Sequence, residues 1–211
     1  MSIAGFAADL VRELERRALP KQLVQGQDLE QQFVLPAAAR LAARHRGVLL
    51  FAHPWSNTRR CTPSCASVPP AGRGRVLGCP VCWRSSGAWA SLSAFGAQHV
   101  FDLLATDGKK SLAVAIELSR TRVGRLPSPD VQRFIGQCAL AATRHAQVIG
   151  FLVYQGTLSP TWQRDTAKVA KLLKKQNIHL IFRSAWSQRL ARESLPLLTG
   201  SRSESPGLSA R

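Results

Sequence analysis

Residues 99–120, HVFDLLATDGKKSLAVAIELSR, decide the fold of this chain. Apolar residues flank the Asp-Gly turn at residues 106–109, and this pattern predicts two β-strands joined in a hairpin. Asp102 and Glu117 lie within the apolar runs, although the chain has only 12 acidic residues against 29 lysines and arginines. A charge is seldom placed in an apolar strand without a partner, so these two carboxylates are the first candidates for a functional site.

A shared divalent cation would explain this pair of carboxylates. Two carboxylates about 4 Å apart repel each other by roughly 4 kcal/mol at an effective dielectric constant near 20, and a shared proton or metal ion removes that repulsion. Mg²⁺ is typically bound by one or two carboxylates, with water and phosphate oxygens completing its coordination. The alternative is structural: Asp102 begins its strand at the surface, and Glu117 forms an ion pair with a nearby arginine.

The chain is strongly basic. Its 211 residues carry a formal net charge of +17, and the sequence pI is about 11.3. Such a charge attracts polyanions, of which nucleic acid is the most common; ribosomal RNA and an anionic membrane surface are the alternatives. No run approaches the roughly 20 apolar residues of a membrane-spanning helix, and the N-terminal residues mix acidic and basic side chains, unlike a signal peptide. We therefore expect a cytoplasmic protein with no membrane contact.

The length of the chain and its 45% apolar content allow one substantial core, and we expect one α/β domain over residues 1–198. The second predicted helix begins near Asp28, which suits an N-cap, and Pro36 is expected to kink it. Glu30 is expected on the face of that helix that packs against the core. Its alternative role is that of a first-turn glutamate favoured by the helix dipole. The predicted helices cover residues 3–17, 27–46, 131–145 and 159–175, and the predicted strands outside the hairpin cover residues 47–53, 146–154 and 178–183.

The predicted helices at residues 131–145 and 159–175 contain further candidate residues. Ser128 or Asp130 is expected to cap the helix that starts near residue 131, and Cys138 within it is expected to be a small core residue. The lysines of the next helix are expected to contact a phosphate backbone, with a solvated helix face as the alternative. These lysines are Lys168, Lys171, Lys174 and Lys175.

Residues 54–90 form an insertion rich in Arg, Ser, Pro and Gly. It contains two short-spaced cysteine pairs separated by 13 residues, close to the spacing of treble-clef or ribbon Zn²⁺ sites. Four thiolates around a structural Zn²⁺ would fold a segment too polar to fold alone; two disulfides, which a reducing cytoplasm disfavours, and unpaired thiols are the alternatives. The expected zinc ligands are Cys61, Cys65, Cys79 and Cys82. Four arginines of the insertion are expected to contact phosphates, with solvated surface side chains as the alternative, namely Arg59, Arg60, Arg73 and Arg75. Residues 199–211 are expected to be a disordered basic tail.

The order of helices and strands, together with Glu30, Asp102 and Glu117, resembles the PD-(D/E)XK nuclease superfamily. Its motif is an Asp at the start of one hairpin strand, ten to twenty residues, then Asp or Glu, any residue, and Lys; here Asp102 is followed by 14 residues and then by Glu117, Leu118 and Ser119. The resemblance covers residues 25–183, with the cysteine segment as an insertion. It implies the restriction-endonuclease-like fold, a central mixed β-sheet flanked by helices. It also implies that Glu30, Asp102, Glu117 and the carbonyl of Leu118 hold one or two Mg²⁺ or Mn²⁺ ions that activate a water for attack on a phosphodiester.

The chain departs from the motif at the lysine position, which is Ser119. A hydroxyl cannot supply the positive charge that stabilises the developing charge of the reaction. Arg120 and Arg133 are candidates to replace it, with Lys109 and Lys110 as weaker candidates at the far end of the hairpin. Gln132 falls where several subfamilies carry a glutamine in the following helix.

Three classes of function follow from these observations. The first is a metal-dependent DNA endonuclease or nickase, in a mobile-element or defence system and with protein partners in a multi-subunit complex. The second keeps the fold as an inactive DNA-binding subunit, as Ser119 allows. The third is a zinc-ribbon RNA-binding protein whose carboxylates are structural. The arrangement of Asp102 and Glu117 favours the first two classes over the third.

Overall fold

The computed structural model describes residues 2–20, 23, 25–45, 47–52, 91–94 and 97–185. All of the predicted insertion, with the four candidate zinc ligands and the four arginines beside them, lies outside the described residues, as does the predicted tail.

The described residues form five α-helical segments, one π-helical turn and seven strands. The predicted first helix is confirmed, and the Ser2 hydroxyl caps it by accepting from the backbone N–H of Gly5. The helices are α1 (Ile3–Arg16), α2 (Gly26–Leu29), α3 (Leu35–Arg44), α4 (Ser128–Ala142) and α5 (Pro160–Lys174), with a π-helical turn at Glu30–Val34. The strands are β1 (Leu49–Ala52), β2 (Ser91–Ala94), β3 (Ala97–Val100), β4 (Leu103–Thr106), β5 (Ser111–Arg120), β6 (Gln147–Gln155) and β7 (Ile178–Ser184).

Five strands make one mixed sheet in the order β1-β4-β5-β6-β7. Neighbouring strands are antiparallel from β1 through β4 to β5, whereas β5, β6 and β7 run parallel. The parallel connections pass through α4 and α5, as crossovers between parallel strands require. The α/β class with a mixed sheet flanked by helices is therefore confirmed.

The predicted hairpin is present, but its first strand begins later than expected. Residues 97–100 belong to β3, which pairs with β2 in a separate two-stranded sheet. Asp102 consequently lies between two strands, just before β4, rather than inside a strand. The turn follows the prediction, with Gly108 at φ 86° and Asp107 accepting from the N–H groups of Lys109 and Lys110.

Alternating side chains of β5 divide the interior into two cores. Leu112 and Val114 pack in the core formed with α1 and the segment from α2 to α3, whereas Ala113 and Ala115 pack in the core formed with α4. Because the side chains of a strand alternate between its faces, Glu117 and Ser119 belong to the α4 face. This division decides which candidate residues can meet.

The helix around Pro36 is continuous, and its irregularity lies upstream of the proline. The N–H of Leu35 bonds the carbonyl of Glu30, a five-residue step that makes one π-helical turn. A proline lacks an N–H and its ring clashes with the carbonyl four residues earlier. The wider π turn accommodates Pro36 without ending the helix.

Helix α4 begins earlier than predicted and approaches the sheet closely. Pro127 is its N-cap residue and makes no side-chain capping bond, so neither Ser128 nor Asp130 caps the helix, and that prediction is wrong. Pro129 in the first turn needs no N–H partner, which allows the earlier start. A Cβ on Gly150 of β6 would lie 2.7 Å from the sulfur of Cys138, so the glycine permits the close contact. Cys138 is a buried core residue, as expected, and burial raises the pKa of its thiol to about 12.

Candidate active site

Asp102 is held by the edge of β5. Its backbone N–H donates to the carbonyl of Val114 at 3.1 Å, and its carboxylate Oδ2 accepts from the N–H of Ile116 at 2.7 Å. The Asp102 carboxylate therefore accepts the Ile116 N–H in place of the backbone carbonyl that a longer β4 would supply. Its position is set by two hydrogen bonds to the same strand that carries Glu117.

The environment of Asp102 opposes its ionisation. Although part of the residue is open to solvent, burial in apolar surroundings raises the pKa of Asp102 to about 7, and the charge of Glu117 raises it further, against the lowering effect of the bond from Ile116. The pKa of this carboxyl group therefore lies well above the ordinary value of an aspartate. Such a group gains from a nearby cation.

Glu117 lies on the α4 face, where it meets a cation. Its Oε1 accepts from the guanidinium of Arg133 at 3.1 Å. Burial raises the pKa of Glu117, Arg133 lowers it, and the carboxylate of Asp130 raises it. The structural alternative considered for Glu117, an ion pair with a nearby arginine, is therefore present. Asp102 is bonded to Ile116, so it lies against β5 at the residue next to Glu117.

Glu30 is not part of this pair. It is buried, with 3% of its surface exposed, as expected for a residue facing the core. Its neighbours Leu29, Phe33 and Val34 belong to the core on the opposite face of the sheet from Arg133. Among the described residues, no three His, Cys, Asp or Glu side chains are grouped so that they could hold a metal ion. The structure places Asp102 against Ile116, next to Glu117, and does not group Glu30 with these two carboxylates.

Ser119 occupies the lysine position of the motif and is 5% exposed. Its hydroxyl has no hydrogen-bond partner in the described part of the protein. A buried hydroxyl without a partner is unusual in a folded protein. Ser119 lies two residues after Glu117 and therefore faces the same side of β5.

The backbone of β5 also presents a polar edge near Asp102. The carbonyl of Val114 and the N–H of Ile116 both point towards Asp102. Backbone groups alternate between the two edges of a strand, so the carbonyl of Leu118 lies on the same edge. Its predicted role as a metal ligand stays a prediction.

Of the candidate cations, Arg133 is the one in contact with a site carboxylate in the described chain. Arg120 is exposed and belongs to the face of β5 opposite to Glu117, and Lys109 and Lys110 lie at the other end of the strand. Gln132 is exposed, and no contact links it to either carboxylate in the described residues. The ion pair between Arg133 and Glu117 forms because α4, which connects β5 to β6, packs across the face of the sheet that carries Glu117. The sequence pattern does not reveal this packing.

The candidate nucleic-acid contacts lie partly within the described chain. The lysines of the cluster predicted on α5 are exposed on that helix or at its C-cap, namely Lys168, Lys171, Lys174 and Lys175. The other predicted contacts, Arg59, Arg60, Arg73 and Arg75, and the cysteines Cys61, Cys65, Cys79 and Cys82 lie outside the described residues.

Comparison with known proteins identifies no relative. No protein-family model, no curated protein and no solved structure matches the chain. In the described part of the chain, no helix has both the length and the apolar character needed to cross a membrane.

Proposed function

We propose that the protein is a divalent-cation-dependent phosphodiesterase of the PD-(D/E)XK type that acts on DNA. The observation that carries this proposal is the position of Asp102, which is bonded to Ile116, the residue next to Glu117 on β5. Two carboxylates are enough for Mg²⁺, because water and substrate phosphate oxygens supply its remaining ligands.

The topology supports the same proposal. A helical segment precedes an antiparallel meander of β1, β4 and β5, and α4 then leads to the parallel strand β6. This is the order on which the resemblance to the superfamily rests. Glu117 lies in the carboxyl-terminal half of β5, towards the end of the parallel strands where ligand sites usually occur in open α/β sheets.

The residues present fit a bound Mg²⁺. Asp102 and Glu117 would hold it, with the carbonyl of Leu118 on the same edge of β5. When bound, Mg²⁺ supplies positive charge that polarises the phosphodiester and lowers the pKa of water. Because burial favours the protonated form of Asp102, binding the cation must release its proton, so affinity should rise with pH.

Arg133 has two roles in this proposal. Without a cation it offsets the charge of Glu117, to which it is hydrogen-bonded. With a phosphodiester bound, its side chain, 65% exposed, is free to turn towards a phosphate oxygen and to supply charge that Ser119 cannot. The basic surface adds affinity that does not depend on DNA sequence and falls as salt increases.

A cleavage assay tests the proposal. Supercoiled plasmid is incubated with the full chain and Mg²⁺ or Mn²⁺, and nicked and linear products are separated. We expect cleavage by the wild-type protein, its loss with EDTA, and its loss in Asp102→Asn and Glu117→Gln. Asp165→Asn is the matched control, because Asp165 is an exposed carboxylate on α5 far along the chain from the site. Equal cleavage by all four proteins contradicts the proposal.

Ser119 favours a second candidate function, a DNA-binding subunit without catalysis. The hydroxyl cannot replace the charge of a lysine, and Arg133 is engaged by Glu117. Under this alternative the protein binds duplex DNA in a salt-dependent manner but yields no product with either metal. Preference for structured RNA over duplex DNA would instead favour the zinc-ribbon RNA-binding class.

A further inference from the structure

The segment after β5 forms a very tight turn. The N–H of Arg125 donates to the carbonyl of Arg122 at 3.0 Å, and the N–H of Arg122 donates back to Arg125 at 2.7 Å. Val123 and Gly124 between them have φ values of 49° and 69°. Two reciprocal bonds around two residues with positive φ define a type I′ hairpin turn, in which Asn-Gly is the favoured sequence.

Val123 is unusual at its position in two respects. A β-branched residue with positive φ is a conformational outlier, because its Cβ crowds the backbone. Its side chain is also 95% exposed, so no packing in the described residues compensates for the strain. Strained residues tend to occur where a function requires them.

The turn is fixed in place by the neighbouring loop. The carbonyl of Gly124 accepts from the N–H of Ser159 at 2.8 Å. The N–H and hydroxyl of Thr121 both donate to the carbonyl of Gln155, at 2.9 and 3.0 Å. A rigid base therefore presents the valine side chain at the tip.

The turn is flanked by positive charge. Arg120, Arg122 and Arg125 are exposed, and none of the three forms an ion pair with a described residue. No acidic residue occurs between Arg120 and the start of α4. The turn follows Glu117 by five residues and leaves the same end of β5.

We infer that Val123 is an apolar wedge that enters duplex DNA between two base pairs while Arg122 and Arg125 bind the phosphates on either side. This inference rests on DNA being the substrate of the proposed function. Proteins that insert apolar side chains between base steps unstack and bend the duplex, and the larger protein surface that the bent duplex covers offsets the lost stacking. A rigid, exposed apolar tip between arginines matches this chemistry, and the charge favours a polyanion over an uncharged partner.

The test uses a short duplex that carries 2-aminopurine in place of several adenines, because its fluorescence rises when the base is unstacked. We expect the full-length protein to raise this fluorescence and Val123→Asn to raise it much less. Asparagine tolerates positive φ, so this variant keeps the turn while removing the wedge. Duplex affinity, measured by anisotropy, should fall roughly tenfold, the order expected when the burial of an aliphatic side chain is lost.

The arginines require a different measurement. Arg122→Ala and Arg125→Ala should each lower the slope of log affinity against log salt by about 1. Arg44→Ala is the matched control, because Arg44 is an exposed arginine at the end of α3. We expect its slope to equal that of the wild-type protein.

The outcomes separate this inference from the proposed function. If the wild-type protein cleaves DNA and Val123→Asn unstacks the duplex equally well, the wedge is wrong and the nuclease stands. If the wild-type protein unstacks the duplex without cleaving it, and Val123→Asn does not, the wedge stands and catalysis is wrong. If the wild-type protein does not bind duplex DNA at all, both are wrong.

Discussion

The substitution Asp102→Asn tests the site through protein stability, without any assay of activity. The backbone N–H of Ile116, which bonds Asp102 at 2.7 Å, can bond the amide oxygen of asparagine equally well. The substitution thus removes the ionisable group and keeps the local structure. Because a change of one in pKa corresponds to about 1.4 kcal/mol, a pKa raised from 3.8 to about 7 destabilises the ionised native state by about 4 kcal/mol.

The direction of the pH dependence follows from the raised pKa. Between pH 3.8 and about 7 the native state binds a proton that the unfolded state has lost, so this contribution to stability declines as pH rises. Asp102→Asn lacks the decline. The difference in unfolding free energy, variant minus wild type, should therefore rise from near zero at about pH 4 to as much as about 4 kcal/mol at about pH 8.

Urea denaturation of both proteins across this pH range measures the difference directly. Titrating groups that do not interact with Asp102 cancel in the comparison, because they are present in both proteins. Asp165→Asn, at an exposed position, should show no such trend. A difference that does not change with pH, or a variant less stable than wild type at about pH 8, would refute the reasoning.

Three further predictions concern other residues. Arg133→Gln should raise the pKa of Glu117, because the guanidinium lowers it, and NMR titration of the Glu117 carboxyl carbon can measure this change. The unfolding free energy should change by less than about 1 kcal/mol, as for other exposed ion pairs. An unchanged pKa of Glu117 would exclude the interaction. The Nδ1 of His145 is hydrogen-bonded to the Ser111 hydroxyl at 2.9 Å, and burial lowers the pKa of His145 from 6.5 to about 4. Stability should therefore fall by about 3 kcal/mol as pH falls through that range, and urea denaturation of His145→Gln should show a smaller decline. Val123→Asn should raise the unfolding free energy by about 1 kcal/mol, because it relieves backbone strain. Gly124→Ala should lower the unfolding free energy, because Gly124 has a φ of 69° and an added Cβ would lie 3.3 Å from the Ser159 nitrogen. Equal effects of the two substitutions would contradict the strain at Val123.

Local patterns in the sequence predict most of the fold. The first helix, the hairpin turn, α5, β6 and β7 lie within two residues of their predicted bounds. Each of these elements has a clear apolar period and a Gly, Pro or Ser near one end, so short-range information is sufficient. The burial of Glu30 also follows from helical periodicity, because a residue's face depends only on its position in the helix.

The remainder depends on contacts between distant segments. Periodicity puts Glu30 on a buried face but does not indicate which side of the sheet that helix covers, so its separation from Glu117 was not predictable. The ion pair from Arg133 to Glu117 spans 16 residues and needs the close packing of α4 at Gly150. Val123 has the residue type least expected at positive φ, and turn statistics would not place it there.

Direct measurement of Mn²⁺ binding tests the central claim, that Asp102 and Glu117 share a divalent cation. The full-length protein is titrated with Mn²⁺ at about pH 8 without nucleic acid, and the electron paramagnetic resonance signal of the free ion gives the amount of Mn²⁺ bound. Mn²⁺ prefers oxygen ligands to thiolates, so this ion reports on the carboxylates. We predict one site in the wild-type protein that weakens as pH falls below about 7 and is lost in both Asp102→Asn and Glu117→Gln. Equal binding by the three proteins, or no binding by the wild-type protein, would contradict the claim.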